Sequence, residues 1–477
     1  MRYVTEIHDL TVTELAAAVR RRELSPVQIT AHYLQRTERL NADVGAFFTV
    51  TADLATDQAA QAEKAVARAE DPAALPPLTG VPIPIKDLNM VAGVRQTLGS
   101  AAFIDNVPAT DDYVTGALRA AGAVITGKTA TPEFGLPCYT ETAVGPPART
   151  PWDLTRSAGG SSGGAAAAVA AGLAPAAQGN DGGGSIRIPS SVCGLFGLKP
   201  SRGRISSGPL VPDLAGLATE GPLTRSVADA ALLLDVMTGN HPGDMYTQPP
   251  LPPGETFLAC ATRPPGRLRI GRTRQHPIGD GYVHPECVAA YEDASALLAS
   301  LGHEVEDLEM PFGPDAVPAF ETLWYAMATL APVDPAREDR LLPLTRYLRD
   351  RGKAMSAADL VFAQAYLQIV VRGALAVLNG YDAVLTPTLA SPPVPVGYFE
   401  EVPPPENFER QKRFTPFAAL FNVSGQPAVS LPLYWTADGL PIGVMLAGRM
   451  GAEGTLISLS AQVEAARPWR DRHPALW

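Results

Sequence analysis

Short apolar runs alternate along the chain with longer stretches that mix apolar and polar positions, a pattern that predicts strands alternating with helices. The first segment reads as two helices. Thr11 and Glu14 stand at capping-box spacing before LAAAVRRREL, and Ser25, Pro26 and Gln28 repeat the signal with proline at the first helical position. GVPIPIKD (80–87) reads as a short apolar strand ending in charge, VTGALRAAG (114–122) as a helix and AVITG (123–127) as a strand. GGAAAAVAAGLAP (163–175) predicts a buried helix whose small side chains allow close packing. The proline-rich, polar region 240–267 reads as a long surface connection. LRIGRT (268–273), PECVAAYEDASALLASLG (285–302) and HEVEDLEM (303–310) then give strand, helix, strand, a βαβ unit. Residues 311–380 read as largely helical, and YDAVLTPT (381–388) as a buried strand. AVSLPL (428–433) and PIGVMLAG (441–448) flank Asp438-Gly439, a hairpin signal with a loop longer than two residues, and a helix over 453–466 closes the chain.

These elements predict an α/β fold: a single large domain, 1–477, with a mixed β-sheet covered by helices on both faces. Its parts are a helical N-terminal segment (1–65), a central segment (75–235) and a C-terminal part (268–477) that completes the sheet and pocket. The 46 prolines are spread through loops, and no internal repeat is visible.

Composition narrows the classes. The chain has 477 residues, 46% of them hydrophobic, enough for a large core. The net charge of −11 argues against a nucleic-acid surface. MRYVTEIHDL has no apolar stretch of the secretory kind, and no run of 18 strongly apolar residues predicts a spanning helix or a membrane partner. Cys138, Cys193, Cys260 and Cys287 are far apart and form no C-x-x-C pair, so neither a metal site nor a disulfide framework is expected. A cytoplasmic, reduced protein is the expectation.

Three motifs could carry chemistry. GAVITGKT (122–129) satisfies the phosphate-binding pattern G-x-x-x-x-G-K-[ST], which would make Lys128 essential; but Ala123–Val124–Ile125–Thr126 favours a strand where that motif needs a loop. GGSSG (159–163) fits a nucleophile elbow with Ser161 as nucleophile and one of His276, His284, His303 or His473 downstream; but no HGGG-type segment lies upstream, and PWDLTRSA before it does not read as a strand. The third reading joins GGSSGG to GNDGGGSIRIPSS (179–191) and to Lys86 at the end of IPIK. A lysine buried enough to be neutral can act as a base, and two serines in relay can stand in for a histidine. The glycines before Ser185 would let backbone N–H groups converge as an oxyanion hole. Asp87 is not expected to pair with Lys86, because neighbours on a strand point to opposite faces.

Residues from about 75 to 235 resemble the amidase signature family, through LTGVPIPIKDL, GAVITGKTATPEFG, RSAGGSSGGAAAAVAAG and GNDGGGSIRIPSSVCGLFGLKPSRGRIS. The N-terminal helices, VLTPT and FNVSGQPAVSLP extend the likeness over nearly the whole chain. The resemblance implies a Ser-cisSer-Lys triad: Ser185 as nucleophile, Ser161 as the bridging serine on a cis peptide after Gly160, and Lys86 as base. It further implies an oxyanion hole from the amides of Gly182, Gly183, Gly184 and Ser185, with Asp181, Arg187 and Ser162 in support. Gly135, Leu136, Cys138, Tyr139 and Thr140, around and after the TPEF turn, are candidate substrate-binding residues. The implied activity is hydrolysis of an aryl, aliphatic or cyclic amide, with carbamates (urethanes) and esters as further substrates, through a seryl acyl-enzyme, with no cofactor and no metal. The flavour is that of aryl-acylamidases and cyclic-amide (6-aminohexanoate oligomer) hydrolases. The partner is a small-molecule amide, and a homodimer is left open. Two departures stand out: Gly182 occupies a position where family members commonly carry a side chain, and Ile188 stands where glutamine-hydrolysing amidotransferase subunits usually carry glutamine. That amidotransferase and a Ser-His-Asp α/β-hydrolase built on Ser161 are the alternatives.

Overall fold

Both N-terminal capping boxes form. Thr11 Oγ1 accepts from the Glu14 amide while the Glu14 carboxylate accepts from the Thr11 amide, opening the helix Val12–Arg20. Ser25 and Gln28 open Pro26–Val44 in the same way. A third helix, Ala52–Arg68, follows. This computed structural model describes residues 6–212, 215–278 and 281–477.

Three short strands, β1 (Phe47–Val50), β2 (Ile85–Lys86) and β3 (Gly127–Thr129), form a small sheet in the order β1-β3-β2. Among the described residues the main sheet has eight: β4 (Ala176–Asp181), β5 (Phe196–Lys199), β6 (Thr219–Thr224), β7 (Arg269–Arg272), β8 (Glu304–Asp307), β9 (Ala383–Pro387), β10 (Ala428–Trp435) and β11 (Pro441–Gly448). Their order is β4-β6-β5-β10-β11-β9-β7-β8. β7 runs parallel to β8 and β9, with the helix Pro285–Ser300 as the crossover to β8, and the other pairs are antiparallel. The expected mixed sheet, βαβ unit and closing hairpin are therefore present.

Alternation along β11 shows that both faces of the sheet are covered. Val444 and Leu446 join the core that includes Leu298 and Leu456 from helices on one side, whereas Met445 and Ala447 join Phe417 and Phe421 on the other. The alanine-rich segment forms the wholly buried helix Gly163–Ala170. A Cβ at Gly164 would stand 2.3 Å from the Ala130 amide nitrogen, so small side chains are what let this helix close on its neighbours.

Some elements differ from expectation. The strand expected over 80–87 narrows to Ile85–Lys86 plus a bridge from Pro82 to Val124, and that expected over 123–127 moves to Gly127–Thr129. Pro82 and Pro84 have no N–H to donate, so the ladder between these segments is interrupted. The connection 240–267 holds a short helix, Phe257–Cys260, capped by Thr256 and pinned by Asp235, which accepts from the Phe257 amide at 2.7 Å. Within 311–380, the helix Ala357–Leu378 is long and apolar enough to cross a membrane by length and composition, where no such element is expected. It buries Ala363, Leu367 and Ala374 and leaves Val361, Phe362 and Ile369 exposed.

The segment GAVITGKT is a packing element. Lys128 on β3 and Asp87 just after β2 are both fully buried and form an ion pair of 3.0 Å, and Lys128 also donates to the Asn89 carbonyl at 2.7 Å. Asp87 thus pairs away from Lys86, as expected. Lys128→Met would leave the Asp87 carboxylate buried without its countercharge, so stability should fall by about 3–5 kcal/mol, read from the denaturant midpoint. Magnesium nucleotide should leave the thermal midpoint of the unaltered protein unmoved.

Candidate active site

Three distant stretches converge at the edge of the main sheet. Lys86 ends β2, which pairs with β3, and its amide donates to Gln178 Oε1 on β4 at 2.9 Å. Ser161 lies 75 residues further on, in the turn that leads into Gly163–Ala170. Ser185 follows β4 and leads into the helix Arg187–Cys193. All three side chains are buried, with Lys86 at 0%, Ser161 at 2% and Ser185 at 6% exposure.

The turn before Ser161 differs from what the resemblance implies. Among the described residues the one cis peptide is Gly208–Pro209; the Gly160–Ser161 bond is trans. The reversal is made instead by Gly159 and Gly160, both left-handed, with φ of +64° and +58°. Two consecutive residues of this kind redirect the chain without an isomerised peptide. Thr140 anchors the turn: its hydroxyl donates to the Gly160 carbonyl at 2.7 Å and accepts from the Gly163 amide at 3.2 Å.

The Lys86 amine has three close partners, Ser161 Oγ at 2.7 Å, Ser162 Oγ at 2.9 Å and Asn180 Oδ1 at 2.5 Å, with the Asn180 carbonyl farther off at 3.5 Å. Ser162 in turn donates to the Asn180 carbonyl at 3.1 Å. Ser185 Oγ accepts from the Ser161 amide at 3.1 Å, so the contact between the serines runs through the backbone of Ser161. Burial brings the Lys86 ammonium down from its ordinary range to about 7, against the opposing pull of Glu220 and Asp181.

Asp181 and Arg187 fix the glycine turn before Ser185. Their side chains are fully buried and paired at 2.8 Å, and a second guanidinium N–H reaches Asp181 Oδ2 at 2.9 Å. Asn422 donates to Asp181 Oδ1 and to the Asp181 carbonyl, both at 2.9 Å. Burial alone would raise the Asp181 carboxyl, yet the Arg187 charge and these donors hold it well below the usual carboxylate range. Asp181 Oδ1 also takes the Gly184 amide at 2.7 Å, so that N–H faces Asp181 and not the space in front of Ser185. The amides of Gly182, Gly183 and Ser185 take no partner among the described residues.

A mainly apolar cavity opens at Ser185 and Gly183. Of the five candidate substrate-binding residues, Leu136 and Cys138 line it. Gly135, Tyr139 and Thr140 do not. Gly135 sits behind Ser161, where a Cβ would lie 3.6 Å from its Oγ. Tyr139 stacks on Phe399 and is bonded to Asn407, and Thr140 holds the serine turn. Most of the wall comes from the C-terminal part: Phe320, Trp324, Leu367, Phe408, Leu420 and Val423. A Cβ on Gly183 would stand 3.3 Å from Trp324, which explains glycine there. Lys412, the cationic group of the lining, is paired with Glu321 and Glu409.

The sequence reading missed Asn180, Gln178, Glu220 and Asn422. Asn180 stands within GND, directly before the glycines, and that position was its only signal. The histidines are engaged elsewhere. His8 contacts His32, His303 contacts Gln462, His241 and His473 stack on Tyr113 and Trp477, and His276 and His284 accept from the amides of Ile278 and Glu286.

Comparison with known proteins settles the family: the amidase family model matches residues 28–457. The chain belongs to the amidase family. This amidase is 38% identical to the 6-aminohexanoate-cyclic-dimer hydrolase of Paenarthrobacter ureafaciens, over 93% of this chain and 94% of that protein. It is 34% identical to an acylamidase of Rhodococcus erythropolis, over 98% of both. A solved structure of 6-aminohexanoate cyclic dimer hydrolase superposes with a TM-score of 0.91 at 33% identity, covering 98% of this chain and 99% of that one. A bacterial aryl acylamidase of the amidase signature family superposes at 0.87 with 26% identity, over 97% of both. The chain is thus an amidase signature hydrolase acting on carbon–nitrogen bonds of amides.

The left-handed turn makes Gly160 the sharpest test of the geometry. A Cβ there would lie 2.3 Å from Pro189 Cδ. Gly160→Ala should therefore displace Ser161 and lower kcat by about 100-fold or more in a protein that still unfolds cooperatively, measured by initial rates beside a thermal melt.

Proposed function

We propose that this amidase works through a seryl acyl-enzyme, with Ser185 as nucleophile, Ser161 as bridge and Lys86 as base. The observation that carries this reading is the hydrogen-bond set of the Lys86 amine. A neutral amine has two N–H donors and one lone pair. Asn180 Oδ1 accepts one N–H. Ser162 Oγ accepts the other, since its own proton goes to the Asn180 carbonyl. The lone pair is then left for the Ser161 hydroxyl, 2.7 Å away.

In this scheme Ser161 gives its proton to Lys86 as it takes the proton of Ser185, and Ser185 Oγ adds to the substrate carbonyl. The Ser161 amide, already on Ser185 Oγ, orients it. The unpartnered amides of Gly182, Gly183 and Ser185 receive the oxyanion. On collapse, the proton returns through Ser161 to the leaving nitrogen; water then repeats the sequence on the acyl-enzyme. No step calls on a metal or an organic cofactor.

The pocket supports an apolar substrate. Phe320 and Trp324 stack with centroids 5.4 Å apart and Trp324 reaches Gly183, so an aryl or cyclic aliphatic group would pack beside the reacting carbonyl. The names of the relatives point the same way, to a cyclic amide and to acylamides. A glutamine head group would meet Lys412 already paired with two glutamates. Turnover should therefore be faster on anilides and cyclic amides than on glutamine in a common assay, with carbamates and esters as secondary substrates.

Ser185→Ala should lower kcat by about 10⁴-fold or more while the protein stays folded, and a phosphonyl fluoride should label Ser185. Labelling of Ser161 with Ser185 dispensable would favour the nucleophile-elbow scheme. Activity requires the neutral amine, so kcat should rise with pH through about 7. Lys86→Ala should lose this limb and most of the rate, and Lys86→Arg should do no better, since arginine keeps its proton. If a single histidine replacement removed the limb while Lys86→Ala kept it, the lysine scheme would be wrong.

A further inference from the structure

A carboxyl that the triad does not use is buried beside Lys86. β6 runs antiparallel to β4, with Glu220 opposite Asn180 and Pro222 opposite Gln178. Side chains at 178, 180 and 220 therefore share one face of the sheet. On that face Asn180 meets the Lys86 amine, and Gln178 Oε1 accepts from the Lys86 amide. The Lys86 N–H can only donate, so the Gln178 amide is oriented with its NH₂ outward. That NH₂ donates to Glu220 Oε2 and, at 3.0 Å, to Asn89 Oδ1. Asn89 Nδ2 completes the network, donating to Glu220 Oε1 at 3.2 Å and to Asp112 Oδ2 at 2.7 Å.

We infer that Glu220 is a positioning residue of this amidase: through Gln178 it fixes the backbone of Lys86, and through its charge it sets the pH at which the amine becomes a free base. The inference rests on the assignment of Lys86 as base made above. Asp112 shares Asn89 with Glu220, Lys128 donates to the Asn89 carbonyl while paired with Asp87, and Asp181 lies on β4 paired with Arg187. Among the described residues Lys86, Glu220 and Asp112 are the ionisable groups of this cluster without an ion-pair partner, and Lys86 is the one cation of the three. Burial and the neighbouring Asp112 push the Glu220 carboxyl upward, while N–H donors from Asn89 and Gln178, one to each oxygen, and the Lys86 ammonium hold it toward the carboxylate; burial brings Lys86 down to about 7. The charge on Glu220 and the proton on Lys86 are therefore coupled. An ionised Glu220 favours the ammonium and holds the base idle; a neutral one releases it.

Glu220→Gln keeps the shape of the side chain and cannot ionise. Removing a negative charge near the amine disfavours the ammonium. The acid limb of kcat/KM should therefore move to lower pH by about one unit, with KM on the plateau unchanged. Relative activity below the wild-type limb should rise several-fold, which structural damage alone would not produce. Asp112 caps the helix Tyr113–Ala120, its carboxylate accepting from the Thr115 amide at 2.9 Å; Asp112→Asn provides the opposite sign and retains a good helix N-cap. Without the Asp112 charge, Glu220 ionises earlier, Lys86 holds its proton longer, and the limb should move up. This second variant also carries the test if Glu220→Gln fails to fold. Limbs unmoved in both variants, or a uniform loss of rate at every pH, would overturn the role of Glu220. If Lys86→Ala retains the wild-type limb, the base assignment falls and this inference with it. If Lys86→Ala removes the limb while the Glu220 and Asp112 variants leave it in place, only the inference about Glu220 falls.

Discussion

Removing the Lys86 amine from water is the constraint on which the rest of the site depends. A lysine at a strand end would ordinarily reach solvent and stay charged. Here the small sheet, the buried alanine-rich helix and β4 close around it, and desolvation takes the ammonium down to about 7. Closing that shell demands small residues. The Gly163–Ala170 helix approaches the Ala130 backbone closely enough to exclude any side chain at Gly164. Two carboxylates nearby are matched by cations other than the amine, in the Asp87–Lys128 and Asp181–Arg187 pairs.

The Asp181–Arg187 pair has a second consequence. A buried ion pair adds little stability over an apolar substitute, but it is strict about geometry. Asp181 gathers the amides of Gly184 and Ile186, the Arg187 guanidinium and the Asn422 amide. The turn carrying Ser185 is thereby fixed to the opposite end of the chain in sequence. Arg187 also donates to the Ala418 carbonyl at 2.8 Å, which anchors the segment that lines the pocket. Placement of Ser185 and placement of the pocket wall are one set of hydrogen bonds.

The proposed reacting groups and the pocket nonetheless come from different parts of the chain. Lys86, Ser161 and Ser185 come from the central stretch, whereas Phe320, Trp324, Leu367 and Phe408 come from helices in the C-terminal part.

Local chemistry was legible in the sequence wherever a residue acts through its own backbone neighbours. The capping boxes at Thr11 and Ser25, the βαβ unit, the closing helix and the glycine-rich approach to Ser185 depend on short-range sterics and hydrogen bonding, and all could be read directly. The likeness of the central motifs to a known family singled out Lys86, Ser161 and Ser185 as candidates, and folding brings them together. Three features were decided only by tertiary structure. Gly159 and Gly160 make the turn at Ser161 with a trans peptide, because φ there is set by packing against Pro189 and Val192. Tyr139 and Thr140 left the pocket for Phe399 and the Gly160 carbonyl, since an apolar or hydroxyl side chain after a turn serves core and cavity equally well. Glu220 joins the network around Lys86 only because β4 and β6 pair in one register, which sets it opposite Asn180 and within reach of Gln178. That pairing joins residues 40 positions apart through backbone hydrogen bonds that carry no side-chain signature, so the chemistry a sheet places side by side is invisible until the sheet has formed.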